Sequence, residues 1–334
     1  MKVLFIGGTG VISTACSDLA VRRGIDLTLL NRGRTDRPLP AAARVLRADI
    51  HDPESVRRTL GSETFDAVVE WLAFTTAHIE ADLELFRGRT GQYVFISSAS
   101  AYQTPPARLP VTEATPLDNP FWQYSRDKIA CEDRLVRAGR EERFPITIVR
   151  PSHTYDETRL PLTGRYTVID RMRRGRPVIV HGDGTSVWTL THSRDFAKGF
   201  VGLLGNPAAL GEAVHITSDE WLTWNQIFAI LAGAFGTEAR IAHVPSDLIA
   251  AFDPEWGAGL LGDKSQSMIF DNAKIKRLAP GFECTTPYSQ GAAEVAAWFA
   301  ADAERRTVDE GFSRLCDRIL EAYAAAWPPA AIPG

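Results

Sequence analysis

The segment QYSRDKIACE, at 123–132, places a phenol and an amine four residues apart. In a helix, Tyr124 and Lys128 would lie on the same face, one turn from each other. A tyrosine ordinarily titrates near ~10, and a neighbouring ammonium favours its phenolate. Such a pair could move a proton to or from a hydroxyl group. The alternative is a pair of ordinary neighbours on a helix surface.

A glycine-rich turn near the N-terminus suggests a second kind of chemistry. In VLFIGGTGVISTACSDLAVRRG, Gly7 and Gly10 separate an apolar run from an amphipathic pattern. Glycines allow a tight turn and close approach to a pyrophosphate, and the next helix offers free N–H groups. Ser13 stands where a third glycine is common and is small enough for close packing. The motif predicts a dinucleotide phosphate site, and the alternative is a plain strand–helix turn.

These motifs require a scaffold in which short strands alternate with helices. The β-rich apolar runs lie at 2–6, 26–30, 43–47, 66–70, 93–97 and 146–150. Helical patterns lie between them near 11–23, 53–60, 76–88 and 121–139. Nearly continuous apolar runs suit strands that are buried on both faces of a parallel sheet. The pattern predicts an α/β fold with a doubly wound (Rossmann) sheet.

After Pro151 the pattern mixes short strands with helices. Thr223 and Gln226 have the spacing of a capping box at a helix start. We therefore predict an NAD(P)-binding domain at 1–150. We assign 151–330 mainly to a smaller mixed α/β substrate lobe, with segments that return to the first domain.

The end of the second predicted strand, LLNRGRT, bears on the choice of dinucleotide. An acidic residue here would bind the ribose of NAD, but the chain has Asn31, followed by Arg32 and Arg34. A guanidinium suits a 2'-phosphate, which favours NADP over NAD. The alternative is that both arginines are simply solvated. Asp49 is placed to reach the adenine amino group.

Four motifs together resemble the extended branch of the short-chain dehydrogenase/reductase superfamily, the NAD(P)-dependent epimerases and dehydratases. They are GGTGVIS, YVFISSASAY, YSRDK and IVRPSHTY, and they follow the family's order and approximate spacing over most of the chain. The NRGR segment and the serine of GGTGVIS are similar to atypical members related to chloroplast stem-loop RNA-binding proteins.

The resemblance implies a catalytic triad of Ser98, Tyr124 and Lys128. Ser98 lies four residues before Tyr102, where the family keeps a serine or threonine, and Ser100 is the competing choice. The phenolate would take a hydroxyl proton while hydride leaves to the nicotinamide, and the serine would hold the carbonyl oxygen.

The resemblance also implies a cofactor site that joins the phosphate turn to the catalytic pair. Its predicted residues are Gly7, Thr9, Gly10, Val11, Ile12, Asn31, Arg32, Arg34, Asp49, Ile50, Leu72, Ala73, Ser97, Tyr124, Lys128, Pro151 and His153. We expect no metal.

Two departures from the family's pattern narrow the reaction and the substrate. Sugar 4,6-dehydratases carry an Asp-Glu pair where this chain has Ala99 and Ser100, so epimerisation or carbonyl/alcohol redox chemistry is favoured. Nucleotide-sugar enzymes of the family usually carry an arginine that holds the diphosphate where this chain has Trp188, so the substrate is expected to be sugar-like or nucleotide-sugar-like, and the diphosphate stays an open question. Ser100, His153 and Trp188 are candidate substrate contacts, although His153 could equally be a packed histidine. The polar stretch at 260–270 is either a substrate loop or a surface turn.

The bulk composition is that of a globular protein. The 334 residues carry a net charge of −4, which disfavours nucleic-acid binding, and the four cysteines form no CxxC. We expect a cytoplasmic protein that has no membrane span and forms a homodimer through the helices near 76–88 and 121–139. The leading hypothesis is an NAD(P)-dependent oxidoreductase or epimerase acting on a sugar-like hydroxyl or keto group. The alternative is a non-catalytic Rossmann protein that binds RNA or senses a dinucleotide.

Overall fold

The computed structural model describes residues 1–34 and 37–326, and within these ranges the chain forms thirteen strands and twelve α-helices. The strands are β1 (Lys2–Ile6), β2 (Asp26–Asn31), β3 (Arg44–Arg47), β4 (Ala67–Glu70), β5 (Tyr93–Ile96), β6 (Ile146–Pro151), β7 (His153–Tyr155), β8 (Val178–His181), β9 (Val187–Trp188), β10 (Leu190–His192), β11 (Ala213–Ile216), β12 (Leu222–Thr223) and β13 (Ile241–Val244). The helices are α1 (Val11–Arg22), α2 (Pro53–Leu60), α3 (Thr76–Phe86), α4 (Gln123–Glu141), α5 (Tyr166–Arg173), α6 (Ser193–Leu203), α7 (Trp224–Ala234), α8 (Ser246–Phe252), α9 (Pro254–Gly259), α10 (Ala273–Leu278), α11 (Tyr288–Ala301) and α12 (Glu310–Ala325).

Seven strands form one parallel sheet, which confirms the predicted doubly wound fold. Their order is β11-β6-β5-β4-β1-β2-β3. The chain runs from β1 outward to β3 and then crosses back to β4, so the direction of winding changes between β1 and β4. In open α/β sheets, ligands bind at the carboxyl ends of the strands beside such a switch point.

Both faces of the sheet are buried, because alternate side chains of each strand point to opposite sides. On one face, Val3 and Phe5 pack with residues of α1 and α6, including Phe200. On the other face, Leu4 and Ile6 join a cluster that reaches α2, α3 and α4. The apolar runs of the sequence therefore form the middle layer of a three-layer fold.

The later part of the chain builds short two-stranded sheets around a separate aromatic cluster. β7 pairs with β10 and β8 with β13 in parallel, while β9 and β12 are antiparallel. Trp188 and Trp224 lie in the cluster that these pairs cover, and the Thr223–Gln226 capping box is present. β11 joins the large sheet beside β6. The last residues of the predicted lobe, 327–330, lie outside the described ranges.

No helix in the described ranges combines the length and the apolar character needed to cross a membrane.

A buried ion pair joins β6 to α4, the helix that carries Tyr124. Arg150 and Glu132 are 5% and 2% exposed, and Arg150 Nε donates to Glu132 Oε1 at 2.9 Å. The Arg150 guanidinium also lies 4.8 Å from the centre of the Tyr102 ring. Removing one partner would leave the other charge buried and unpaired.

We expect Arg150→Met to lower the free energy of unfolding by about 3–5 kcal/mol, because Glu132 loses its counter-charge. Urea denaturation measures the change. The double variant Arg150→Met/Glu132→Leu should recover much of the loss. The control Arg58→Ala removes an exposed pair with Glu54 and should cost about 0–0.5 kcal/mol. Equal losses for Arg150→Met and Arg58→Ala would contradict a stabilising role for the buried pair.

Candidate functional site

A cleft of about 630 Å³ opens at the carboxyl edge of the large sheet, beside the switch point. It brings most of the predicted cofactor residues together. Those that line it are Gly7, Thr9, Gly10, Ile12, Asn31, Arg32, Arg34, Asp49, Ile50, Leu72, Ser97, Tyr124, Lys128 and Pro151. The same cleft also contains Ser98, the predicted catalytic serine.

The turn between β1 and α1 has the geometry that a phosphate cradle needs. Gly7 and Gly8 have φ of 105° and 88°, a region that side-chain-bearing residues rarely adopt. A Cβ on Gly8 would lie 2.7 Å from Leu29 Cδ2. Ser13 replaces a third glycine, and its Oγ accepts the Gly10 N–H at 2.7 Å. The first turn of α1 has no acidic residue, so the positive end of the helix dipole is available to an anion.

The end of β2 offers polar groups to the far end of a dinucleotide. Asn31 Oδ1 accepts the Gly33 N–H at 2.9 Å, and its buried Nδ2 has no partner among the described residues. Arg32 lies 3.6 Å from Asp49, with both side chains partly exposed at the cleft. Arg34 is exposed at the same edge. The glycine turn, the orphaned amide and the two arginines all fit an NAD(P) molecule.

Tyr124 lies at the inner end of this cleft, near the start of α4. Burial raises the pKa of its phenol, a hydrogen bond with Ser98 lowers it, and the charge of Asp263 raises it. The pKa therefore lies above its ordinary value in this arrangement. The sequence predicted that the charge of Lys128 favours the phenolate. Burial of the phenol has the opposite effect on its pKa and is the larger influence.

Lys128 is only 2% exposed, and its ammonium is held in place by backbone oxygens. Its Nζ donates to the carbonyl of Ala73 at 2.7 Å and to that of Ile96 at 2.9 Å. The Nζ atom is 5.8 Å from the centre of the Tyr124 ring. Burial lowers the pKa of Lys128 to about 8. The lysine is thus rigidly oriented and titrates close to neutral pH.

A buried pair of carboxyl groups, which the sequence analysis did not identify, lies behind Lys128. Glu70 and Asp82 are 1% and 2% exposed and share a hydrogen bond. Tyr93 Oη donates to Asp82 Oδ2 at 2.6 Å. Burial raises the pKa of both carboxyl groups, because it removes water from the charged form, and the charge of Asp82 raises the pKa of Glu70 further. The pair lines a neighbouring cavity of about 240 Å³.

Some predicted site residues lie away from the cleft. Val11 faces a groove on the other side of α1, and Ala73 lines the cavity behind Lys128. Ser100 is 4% exposed and does not line the cleft, but it lies directly behind Ser98: its Oγ accepts from Ser125 Oγ at 2.8 Å and is 2.9 Å from Ser98 Oγ. Trp188 is 3% exposed and packs 5.9 Å from Trp224, measured between ring centroids.

His153 lines a second pocket, of about 490 Å³, together with Trp122, Arg159, Trp256 and Lys264. This pocket begins next to the inner end of the cleft, because the rings of Trp122 and Tyr124 are 4.9 Å apart. Ser152 and Thr154 line the cleft, whereas His153, which lies between them in the chain, lines the second pocket. Burial lowers the pKa of His153 well below its ordinary value, so the ring is neutral.

Few sequence motifs indicate the residues that form the walls of the second pocket. The segment at 260–270 was a candidate loop, and its first residues form a π-helical turn, Leu260–Lys264, that lines the pocket. Trp122 lies two residues before Tyr124, and its place in the pocket wall could have been predicted from that position. Arg159 and Trp256 have no motif around them.

The Asp82 and Glu70 carboxyl groups should make stability depend on pH. Their folded-state pKa values are raised, so the folded state keeps protons that the unfolded state releases, and stability falls as pH rises above about 4. Asp82→Asn removes one of these groups while keeping an oxygen that can accept from Tyr93.

We therefore expect the loss of stability between pH 5 and pH 8 to be smaller in Asp82→Asn than in the wild type. Urea midpoints across this range measure it. Glu141→Gln, an exposed change on α4, should leave the wild-type dependence intact. The same pH dependence in Asp82→Asn as in the wild type would rule out a proton retained by the pair.

Comparison with known proteins agrees with this geometry. The NAD dependent epimerase/dehydratase family matches residues 83–217. The chain is 26% identical to the 2'-dehydrokanamycin reductase of Streptomyces kanamyceticus, over 85% of this chain and 80% of that protein. It is 28% identical to the chloroplast stem-loop binding protein of 41 kDa b of Arabidopsis thaliana, over 72% of this chain and 65% of that protein.

A solved structure of the UDP-glucose 4-epimerase from Bifidobacterium longum, in complex with NAD+ and UDP, has the same fold. Its TM-score is 0.74 at 18% identity, over 91% of this chain and 100% of that chain. The parallel sheet with its cleft at the switch point therefore defines a Rossmann-type protein. The sequence matches show that the chain is similar to the extended short-chain dehydrogenase/reductase superfamily and, over residues 83–217, to its NAD-dependent epimerase/dehydratase family. The predicted resemblance is confirmed.

Proposed function

We propose that the protein is an NADP-dependent oxidoreductase that reduces a keto group of a sugar-like small molecule. One observation carries this proposal. Tyr124 lines the inner end of the cleft together with Ser98, its ring lies 4.9 Å from that of Trp122 in the second pocket, and Lys128 follows one turn further along α4. A cofactor in the cleft and a substrate in the pocket would meet at this phenol.

The side chains can carry out the proton half of a carbonyl reduction. A reduced nicotinamide bound in the cleft would supply the hydride to the carbonyl carbon. Tyr124 donates its proton to the carbonyl oxygen, and Ser98 donates a hydrogen bond to the same oxygen. The carbonyl becomes an alcohol, and Tyr124 is left as a phenolate until it regains a proton from solvent. The Lys128 ammonium stabilises that phenolate in the meantime.

The electrostatics of Tyr124 favour reduction over oxidation. Because burial and Asp263 keep its pKa above the ordinary value, the residue is protonated near neutral pH and acts as an acid. Oxidation of an alcohol would need the phenolate at the start. The similarity to the 2'-dehydrokanamycin reductase of Streptomyces kanamyceticus supports the same direction.

The second pocket supports a sugar-like substrate. Its volume of about 490 Å³ lies within the usual range for small-molecule sites. Trp122 and Trp256 offer aromatic faces, and the neutral His153 offers a hydrogen-bonding ring nitrogen. Arg159 and Lys264 add polar ends that could orient a substrate rich in hydroxyl groups. Trp188, buried elsewhere, is not needed for this binding mode.

The preference for NADP is supported by the two arginines at the end of β2. Arg32 and Arg34 both line the cleft where a 2'-phosphate would lie, and β2 ends in Asn31 rather than an acidic residue. Asp49 lies 3.6 Å from Arg32 and partly offsets its positive charge, but it does not form such a pair with Arg34.

We expect Arg32→Ala and Arg34→Ala each to weaken NADPH binding by about 1.5–3 kcal/mol, the usual loss of a charge-assisted hydrogen bond. NADH binding should hardly change, because NADH lacks the 2'-phosphate. Calorimetric titration of both cofactors measures the effect, with Arg23→Ala, at the exposed end of α1, as the matched control. Wild-type binding of NADH that equals or exceeds that of NADPH would remove the basis for NADP.

We expect Tyr124→Phe to fold and bind NADPH normally while turnover falls by about 10²–10⁴, since only a proton-transfer group is lost. Lys128→Met should damage turnover comparably and should also weaken cofactor binding. Keto sugars and keto aminosugars, screened for NADPH oxidation, provide the assay. Full turnover in Tyr124→Phe would refute its role as the acid.

A second candidate, RNA binding on the same scaffold, is favoured by the similarity to the chloroplast stem-loop binding protein. The net charge of −4 opposes it. A gel shift with structured RNA, set beside the NADPH titration, separates the two candidates. Homodimer formation through α3 and α4 and a cytoplasmic location stay predictions.

A further inference from the structure

Phe74 occupies an exposed position at the inner end of the cleft. It follows β4 by four residues and lines the cleft together with Tyr124, and the centroids of the two rings are 6.4 Å apart. The residue is 44% exposed. A single exposed phenylalanine is ordinary on a protein surface. What distinguishes this one is its place beside the reacting phenol and its contact with the lysine of the triad.

The ring of Phe74 lies against the ammonium of Lys128. The Lys128 Nζ atom is 4.5 Å from the centre of the Phe74 ring and 4.8 Å from that of Phe95, which is fully buried in β5. Aromatic faces attract a cation at such distances. Phe74 and Lys128 both line the cleft, but the lysine is only 2% exposed. Phe74 therefore covers the ammonium on the side of the cleft.

Backbone oxygens take up two of the three N–H groups of the Lys128 ammonium. Its Nζ donates to the carbonyls of Ala73 and Ile96 at 2.7 Å and 2.9 Å. An ammonium has three donors, so one N–H remains. The Nζ atom is 5.8 Å from the centre of the Tyr124 ring. The remaining N–H is thus available at the end of the cleft where the phenol lies.

A hydrogen bond to α3 fixes the backbone that carries the Phe74 ring. The Phe74 N–H donates to His78 Nδ1 at 3.2 Å, in the first turn of α3. The His78 ring lies 4.2 Å from that of His51, measured between centroids. Burial and the charges of His51 and Lys128 lower the pKa of His78, which keeps its Nδ1 free to accept. The ring is therefore held over Lys128 by a fixed segment.

We propose that Phe74 is a positioning residue of the candidate active site: its ring shields the Lys128 ammonium from the water of the cleft and leaves that ammonium one free N–H, on the side of Tyr124. The inference rests on the proposed function for its effect on turnover. In that function Lys128 stabilises the phenolate that carbonyl reduction leaves on Tyr124, and a shielded charge does so more strongly than a hydrated one.

Shielding and ring attraction have opposite effects on the ionisation of Lys128. Removal of water disfavours the ammonium, by up to about 3–5 pH units for a fully buried lysine. The attraction of a phenyl face favours it, but more weakly. Burial is the largest influence on Lys128 and lowers its pKa to about 8. Shielding therefore outweighs attraction, and removing the ring should raise the pKa of Lys128.

The other titratable groups that face Lys128 remain in place when Phe74 is substituted. They are Tyr124, Cys131 and Glu132 on α4, Glu70 at the end of β4, and His78 on α3. The neighbouring strand β5 contributes the Ile96 carbonyl and the Phe95 ring. A change in the ionisation of Lys128 in a Phe74 variant would therefore report the loss of the ring and not the loss of a charge.

Three substitutions separate the two roles of the ring, and a fourth serves as the control. Phe74→Ala opens the ammonium to water, Phe74→Leu keeps an apolar cover without an aromatic face, and Phe74→Tyr keeps both. Phe121→Ala is the matched control, because Phe121 is also 44% exposed but lines neither the cleft nor the second pocket. Since both phenylalanines are exposed, none of these changes removes a core side chain.

The first measurement needs no substrate. The chain contains six lysines, so isotope labelling of the lysine Cε atoms gives few NMR signals, and Lys128→Met identifies that of Lys128. Phe74→Ala should raise the titration midpoint of this signal by about 1 pH unit. Phe74→Leu should not raise it, and Phe74→Tyr and Phe121→Ala should leave it unchanged. An unchanged or lower midpoint in Phe74→Ala overturns the inference.

The second measurement is the pH profile of kcat for ketone reduction with saturating NADPH. Wild-type kcat should fall as pH rises through the pKa of Lys128, because a neutral lysine no longer stabilises the phenolate. Phe74→Ala should move this fall to higher pH by the interval that NMR measures, and Phe121→Ala should keep the wild-type profile. A purely structural role for Phe74 would lower kcat at every pH without moving the fall, and that result overturns its role in turnover.

Failure of this inference can be distinguished from failure of the proposed function. A wild type that reduces no ketone contradicts the proposed function, and the NMR titration still decides whether Phe74 shields Lys128. Ketone reduction by a wild type whose Lys128 titrates as it does in Phe74→Ala leaves the reductase function standing and overturns the inference.

Discussion

The amide of Asn119 holds three segments of backbone that are far apart in the chain. It donates to the carbonyls of Ser100 and Gly262 and accepts two N–H groups at the start of α4. Because the side chain is almost fully buried, moving any of the segments would leave a polar group unpaired, at about 1–3 kcal/mol each. Tyr124 and the groups around it keep their spacing for this reason.

Burial controls the proton chemistry of the site more strongly than the spacing of its charges does. It raises the pKa of Tyr124 and lowers that of Lys128 to about 8, so the two groups do not form a ready phenolate–ammonium pair. The two carbonyls that bind Lys128 orient its ammonium without neutralising it. The low dielectric constant around these buried groups also strengthens their electrostatic interaction with any charge that enters the cleft.

The candidate site combines a cleft built on rigid strand ends with a pocket built on a less regular lobe. The cleft belongs to the sheet and its glycine turn, which related folds share. The pocket depends on the π-helical turn and on residues such as Trp256, which come from late in the chain. The pocket therefore bears more directly on function than the fold does, since one fold can host many reactions.

The sheet, the phosphate turn and the catalytic candidates could all be predicted from the sequence. Buried parallel strands are nearly continuous apolar runs, and the glycine turn and the Tyr124–Lys128 spacing are local patterns. These features can be read without knowing what packs where. The resemblance to the family rests on the same local motifs.

The surroundings of Tyr124 could be known only from the folded chain. Trp188 carries a suitable side chain, but it is buried in the aromatic cluster of the second lobe, and Ser100 is buried behind Ser98 instead of lining the cleft. Glu70 and Asp263 carry no motif, and their importance comes from burial and from neighbours many residues away. Such effects depend on desolvation and on long-range contacts, and neither is encoded in the spacing of residues along the chain.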